Sequence, residues 1–263
     1  MTAILSNITL ESGKNPQYSI IWLHGLGADG QDFVPMVDEL NLPVAIRYIF
    51  PHAPRRPVTI NGGFVMRAWY DILEPFDPSS MLRTGIAAQQ DEAGIYASQT
   101  AIEALIEQEV ARGIAPEHIF LAGFSQGGAV ALHTGLRQRV PLCGLLILSA
   151  YLPLAEAAQT EASSSSRKTP IFMAHGRNDP VVPCALGVAS RENLQSLGYT
   201  VAWHDYPMQH SLNDKELRDI EAWLSSRIEE QLMNPSVRNR SLGSVVSWEC
   251  PCGMNPKDDS LVN

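Results

Sequence analysis

Residues 121–128 read Leu-Ala-Gly-Phe-Ser-Gln-Gly-Gly, and this stretch constrains the fold more than any other. Gly123-Phe124-Ser125-Gln126-Gly127 is a G-x-S-x-G pattern. An apolar run, His118 to Ala122, leads into it, and a helix-capable stretch, Ala129 to Arg137, follows. A serine hydroxyl is a weak nucleophile and must be presented on a tight strand-to-helix turn where a base can reach it. Glycines on either side leave room for strained backbone and for neighbouring chain. The pentapeptide alone is a moderate signal, but a chance match rarely falls between a buried strand and a helix.

The rest of the chain has the rhythm such a turn needs. Ser19 to Leu23, Ala45 to Phe50, Ile119 to Ala122, Leu142 to Ser149, Pro170 to Ala174 and Tyr199 to Trp203 read as strands. Leu142 to Ser149 is nearly all apolar, as a strand buried on both faces should be. Helices are expected over Asp32 to Leu40, around Ile95 to Val110 with a stop at Gly113, and over Gln126 to Arg139. Two more run from Leu186 to Leu197, stopped by Gly198, and from Leu217 to Ile228, capped by Asn213 or Asp214. Alternating strands and helices predict an α/β fold, a mostly parallel sheet with helices on both faces. Ligands in such sheets bind beyond the carboxyl ends of the strands. Asn61 to Gly85 reads as a long loop near that edge, and Glu156 to Lys168 as a flexible surface insertion.

Composition narrows the function. The 263 residues suffice for one sizeable α/β domain, which we place at residues 1–232, with 233–263 as a disordered tail. A net charge of −9 offers no basic face for phosphates, so nucleic acid is not an expected partner. No apolar run approaches the roughly 20 residues that span a bilayer, and Met1 to Tyr18 lacks the basic and apolar regions of a secretory signal. A cytoplasmic protein without an integral membrane segment is expected. The four cysteines form no disulfide framework. Cys250 and Cys252 stand as Cys-Pro-Cys in the tail with no histidine near them, short of the four ligands of a zinc site, so no metal is expected.

A nucleophilic serine needs a general base, and the base needs an orienting carboxylate. On strand-to-helix elbows these follow in the order Ser, Asp or Glu, His. Of the seven histidines, only His133, His175, His204 and His210 follow Ser125. His133 lies on the helix behind the elbow, and His175 precedes the best aspartate. His210 sits in the loop after the last strand, at the carboxyl edge, and is preferred as the base, with His204 the alternative. Asp179, in the loop after Pro170 to Ala174, is the preferred carboxylate, although Asn178-Asp179-Pro180 also suits a plain turn. Asp205 is too close in sequence to His210 for the usual two-loop arrangement, and Asp214 suits a helix cap. The negative oxygen of a tetrahedral intermediate needs two N–H donors. Gln126 N–H should be one, and the loop His24-Gly25-Leu26-Gly27 is placed to supply the other. Gly25 to Gly30 also matches G-x-G-x-x-G, a dinucleotide fingerprint that is weak without its acidic partner.

The chain resembles the small carboxylesterase and acyl-protein thioesterase family, also called the phospholipase/carboxylesterase family. The matching pieces are Ile21-Trp-Leu-His-Gly-Leu-Gly-Ala-Asp-Gly30, Phe50-Pro-His-Ala-Pro54, Ala68-Trp-Tyr-Asp-Ile72 and Leu121 to Gly128. Leu148-Ser-Ala-Tyr-Leu-Pro153, Ala174-His-Gly-Arg-Asn-Asp-Pro-Val-Val-Pro183 and Tyr206-Pro-Met-Gln-His210 continue the match in order. The resemblance implies the α/β-hydrolase fold with no large cap domain. It implies a cofactor-free serine esterase with Ser125, Asp179 and His210 as catalytic triad and Leu26 and Gln126 N–H groups as oxyanion hole. Trp69 and nearby loop residues line the acyl site on the same basis. The substrate is then a small-molecule ester or an acylated molecule, with acyl-protein thioesterase or lysophospholipase as alternative activities. A homodimer stays open. A non-catalytic acyl-binding scaffold is the rival from another class, disfavoured by the intact Ser-Asp-His order. The serine-rich stretch up to Lys168 and the tail depart from the family.

Overall fold

The structure, a computed structural model, describes residues 4–74 and 90–233. Its strands are β1 (Asn7–Glu11), β2 (Tyr18–Leu23), β3 (Ile46–Pro51), β4 (Arg55–Val58) and β5 (Phe64–Arg67), then β6 (Ile119–Phe124), β7 (Gly144–Leu148), β8 (Ile171–Gly176) and β9 (Val201–Tyr206). The helices are α1 (Met36–Glu39), α2 (Glu92–Ala111), α3 (Gln126–Leu136), α4 (Ala155–Glu161), α5 (Cys184–Ser196) and α6 (Asp214–Met233). Among the described residues the main sheet has seven strands in the order β1-β3-β2-β6-β7-β8-β9. Only β1 runs antiparallel, against β3, and the other neighbours are parallel.

Strand sequences explain this arrangement. β2 (Tyr-Ser-Ile-Ile-Trp-Leu) and β7 (Gly-Leu-Leu-Ile-Leu) are buried at every position, because helices cover both faces. The pleat sends alternate side chains to opposite sides. Ile21, Leu121 and Ile147 pack with Ile102 and Leu105 of α2, Leu132 of α3 and Leu186 of α5. Ile20, Trp22, Phe120 and Leu146 face the other way, onto Phe33, Leu40 and the Ile220, Leu224 and Ile228 stripe of α6. Truncating one such Leu or Ile to alanine costs about 2–5 kcal/mol. Helix ends follow the expected signals. α2 and α5 are followed by Gly113 and Gly198, and Asp91 caps α2 through Gly94 N–H. Of the two cap residues expected for α6, Asn213 does the capping, accepting Glu216 N–H at 2.9 Å.

Four segments differ from the sequence reading. β1 escapes it because an edge strand with half-exposed residues shows no clean alternation. The β4–β5 hairpin overlaps the stretch read as a loop; its pairing is local, and charged and proline residues mask the pattern. Residues 75–85 of that stretch lie outside the described residues, as do 234–263 of the tail expected over 233–263; Met233 ends α6. The helix expected over Asp32 to Leu40 divides into a 3-10 turn, Gly30–Phe33, and α1, with Pro35 between them. The serine-rich stretch is an anchored element. It forms α4 and then a 3-10 turn, Ser166–Lys168. Ser166 is fully buried, and its hydroxyl pairs with Leu136 O at 2.7 Å and Tyr199 OH at 2.6 Å. Its partners lie far away in sequence, so composition alone could not show them.

One buried group on α6 makes stability pH-dependent. Glu216 shares the buried face with Ile220 and Leu224. Burial pushes its carboxyl up to about 8, against the pull of the Asn213 backbone, with the Asp219 charge adding to the rise. The unfolded carboxyl titrates near 4.3. The folded chain therefore holds this proton while the unfolded chain releases it. That contribution is full below pH 4 and is lost as pH rises toward 8, at about 1.4 kcal/mol per unit. Glu216→Gln, neutral throughout, should raise Tm at pH 9 by about 5 °C or more and change it little at pH 5. Equal melting of both proteins at pH 9 would contradict this.

Candidate active site

Ser125 stands where β6 ends and α3 begins, at φ 54° and ψ −122°. This backbone region is costly for a non-glycine residue and persists only where its surroundings enforce it. Here they do. Ser125 N–H donates to Leu148 O of β7 at 2.9 Å, and Ser125 O accepts Ala129 N–H at 3.0 Å. The motif glycines are required sterically. A Cβ on Gly123 would overlap the Gly127 carbonyl, and one on Gly127 would overlap the Leu23 and His24 carbonyls. The turn can pack against β2 only if both positions lack a side chain.

The structure brings Ser125, His210 and Asp179 together. His210 Nε2 lies 2.9 Å from Ser125 Oγ, and His210 Nδ1 lies 2.6 Å from Asp179 Oδ2. A carboxylate at Nδ1 assigns the ring proton to that nitrogen, leaving Nε2 to accept the serine proton. Asp179 is aimed by its own turn, because Oδ1 accepts Val181 N–H at 2.8 Å and Val182 N–H at 2.9 Å. Burial would raise the Asp179 carboxyl, but its bonds from His210, Val182 and Val181 outweigh that and hold it below its ordinary value. The loops carrying the acid and the histidine are zipped together beyond β8 and β9. Arg177 N–H donates to Tyr206 O at 2.8 Å, and Asn178 N–H to Met208 O at 3.1 Å. The Phe124 ring, 4.7 Å from the His210 ring, backs the imidazole.

The alternative base and acids lie elsewhere. His204 stacks on Phe172 at 4.7 Å and faces Asp219 at 3.8 Å. Asp205 pairs with Arg177 at 3.3 Å, and Asp214 opens α6. His175 has a supporting place that sequence reasoning missed. It is buried, 3.6 Å from Asp179 Oδ2, and its Nε2 pairs with Val182 O at 2.8 Å across the acid turn. The signal available was its position four residues before Asp179 at a strand end.

The loop His24-Gly25-Leu26-Gly27 borders the serine. A Cβ on Gly25 would lie 3.5 Å from Ser125 Cβ, and Leu26 is half-buried. The loop continues into a 3-10 turn in which Asp29 accepts Gln31 N–H. A dinucleotide fingerprint would open a regular helix whose N-terminus takes the pyrophosphate, so Gly25 to Gly30 lacks that context. Trp69, expected to line the acyl site, is fully buried. Its indole N–H donates to His24 O at 2.8 Å, and its backbone N–H donates to the Gln126 side chain at 2.9 Å. Exposed apolar side chains come instead from the hairpin, where Ile60, Phe64 and Val65 face solvent. The hairpin abuts the glycine loop through Gly27 N–H to Arg67 O at 2.9 Å. Among the described residues, no group of three or more His, Cys, Asp or Glu could hold a metal ion, and no helix is long and apolar enough to cross a membrane.

Residues 6–228 match the family model described as phospholipase/carboxylesterase. The chain is 40% identical over 217 residues to acyl-protein thioesterase 1 of Gibberella zeae, covering 80% of this chain and 90% of that protein. It is 35% identical over 213 residues to carboxylesterase SOBER1 of Arabidopsis thaliana, covering 80% and 90%. The crystal structure of Arabidopsis thaliana SOBER1 superposes with a TM-score of 0.74 at 34% identity, covering 80% of this chain and 99% of that one. Sequence match and fold agree: the chain belongs to the phospholipase/carboxylesterase family, ester hydrolases of the α/β-hydrolase fold.

Proposed function

We propose that residues 1–232 form the catalytic domain of a serine carboxylesterase in which Ser125, His210 and Asp179 carry the reaction. The observation that carries this reading is the single imidazole bridging Ser125 Oγ at 2.9 Å and Asp179 Oδ2 at 2.6 Å. His210 Nε2 takes the Ser125 proton as Oγ attacks the acyl carbonyl carbon. Asp179 holds the Nδ1 proton and stabilises the imidazolium. The Leu26 and Gln126 N–H groups receive the oxyanion. Collapse of the intermediate expels the alcohol or thiol, which takes the proton from His210. Water, activated by the same imidazole, then releases the acid and restores Ser125. All three groups come from one chain, so the triad itself is complete without a homodimer.

The acyl chain is the recognised part of the substrate. Ile60, Phe64 and Val65 present apolar surface on the hairpin that abuts the oxyanion loop. Each buried methylene is worth about 0.8 kcal/mol. Thioester and lysophospholipid substrates fit the same machinery, because attack and oxyanion stabilisation are unchanged by the leaving group. The relatives named acyl-protein thioesterase support an acylated protein as substrate. A p-nitrophenyl ester series from acetate to palmitate, with Ser125→Ala as blank, tests the acyl site. We expect kcat/KM for octanoate or a longer chain to exceed that for acetate at least about tenfold. A maximum at acetate would remove the extended acyl site.

A further inference from the structure

We infer that the side chains of His24, Trp69 and Gln126 form one buried bridge that sets the two oxyanion donors relative to each other. The inference rests on the proposed roles of the Leu26 and Gln126 N–H groups. It concerns what aims them.

The argument begins at His24, which is fully buried. Its Nε2 accepts Ala53 N–H at 3.1 Å, so the ring proton belongs on Nδ1, which lies 2.7 Å from Gly25 O. Burial lowers the His24 pKa and keeps the ring neutral, as that donor and acceptor pattern requires. The peptide unit with Gly25 C=O also carries Leu26 N–H, and a trans peptide is planar, with C=O and N–H pointing opposite ways. Fixing Gly25 O therefore fixes the direction of Leu26 N–H. The imidazole acts on the donor through its own peptide plane.

Trp69 links this loop to the second donor. Its indole N–H holds His24 O at 2.8 Å, while its backbone N–H donates to Gln126 Oε1 at 2.9 Å. Gln126 Nε2 donates onward to Tyr70 O at 2.7 Å. The residue whose backbone N–H faces the oxyanion thus grips, by its side chain, the strap that holds the other donor loop. Ser98 Oγ pins the far side of the strap by donating to Trp69 O. His24, Trp69 and Gln126 are at most 3% exposed. An apolar side chain could fill the Gln126 site without burying an amide, at a lower desolvation cost. Donor geometry gives the carboxamide its use, since oxyanion stabilisation is lost when donors stand off the developing charge.

Trp69→Phe removes the indole N–H and keeps an aromatic ring. Gln126→Met removes the carboxamide and keeps the backbone donor. We expect each to lower kcat about tenfold, with KM for a p-nitrophenyl ester within about twofold. Binding of an acyl trifluoromethyl ketone, whose hemiketal oxygen occupies the oxyanion position, should weaken by the same factor as kcat. The double variant should lose about as much as the worse single one, because both lie on one bridge. Assays run well below the Tm of each variant, so a purely structural role leaves kcat and ketone affinity unchanged. Unchanged kcat in folded Trp69→Phe, a loss confined to KM, or fully additive losses would overturn the inference. Full hydrolysis by Ser125→Ala would instead overturn the functional reading beneath it. An inactive Ser125→Ala beside fully active bridge variants would defeat the bridge alone.

Discussion

Replacing Ser125 by alanine should lower kcat/KM on a p-nitrophenyl ester by at least about ten-thousand-fold, while leaving the protein folded. The size follows from what the hydroxyl does. Without Oγ no acyl-enzyme forms, and only the N–H donors and the bound geometry remain to assist water. The fold should tolerate the change, because the hydroxyl's partner is the His210 ring. The elbow is fixed by backbone bonds to Leu148 and Ala129, which alanine keeps. The φ of 54° is no worse for alanine than for serine. Tm should therefore stay within about 2 °C of the parent, no more than 1 kcal/mol would shift in a domain of this size. Activity within tenfold of the parent would remove Ser125 from the mechanism.

Asp179→Asn should cost kcat about ten-thousand-fold at neutral pH, for a different reason. The amide oxygen can still accept Val181 and Val182 N–H, so the turn survives. Its NH₂ then meets His210 Nδ1, where the carboxylate oxygen stood 2.6 Å away. Two donors cannot share that contact. The imidazole must put its proton on Nε2, and Nε2 then cannot accept from Ser125. A second readout follows from charge. The folded-state pKa of Asp179 is depressed, with hydrogen bonds outweighing burial. Its contribution to stability is present above about pH 4, the unfolded value, and is lost as pH falls through the folded value. The asparagine variant lacks that contribution, so its unfolding midpoint should fall less steeply below pH 4 than that of the parent. A variant with parental kcat at pH 7 would contradict the orienting role.

Legibility in the sequence divided along a physical line. Strands such as β2 and β7 announce themselves because burial on both faces demands unbroken apolar runs. Ser125, Asp179 and His210 could be nominated because each lies in a loop directly after a parallel strand, where such sheets gather functional residues. The G-x-S-x-G spacing carried a steric demand that is local in sequence, visible in the overlaps at Gly123 and Gly127. What stayed hidden depends on partners far along the chain. Trp69 reads as an aromatic for an acyl site, and its bond to His24 O, 45 residues away, does not show in the sequence. Ser166 sits in a serine run that reads as solvent-loving, yet its hydroxyl reaches Tyr199, 33 residues away. The Gln126 carboxamide reaches back 56 residues to Tyr70. Edge strand β1 and the hairpin were obscured because half-exposed strands need no apolar alternation.

The central claim is that Ser125 is the nucleophile. The most direct measurement is reaction of the full chain with a fluorophosphonate, followed by intact mass and peptide mapping. We predict one phosphonyl group, carried on the Ser125 peptide, with loss of esterase activity in step with labelling and no label on Ser125→Ala. Activity that survives complete labelling, or a label on another residue, would contradict it.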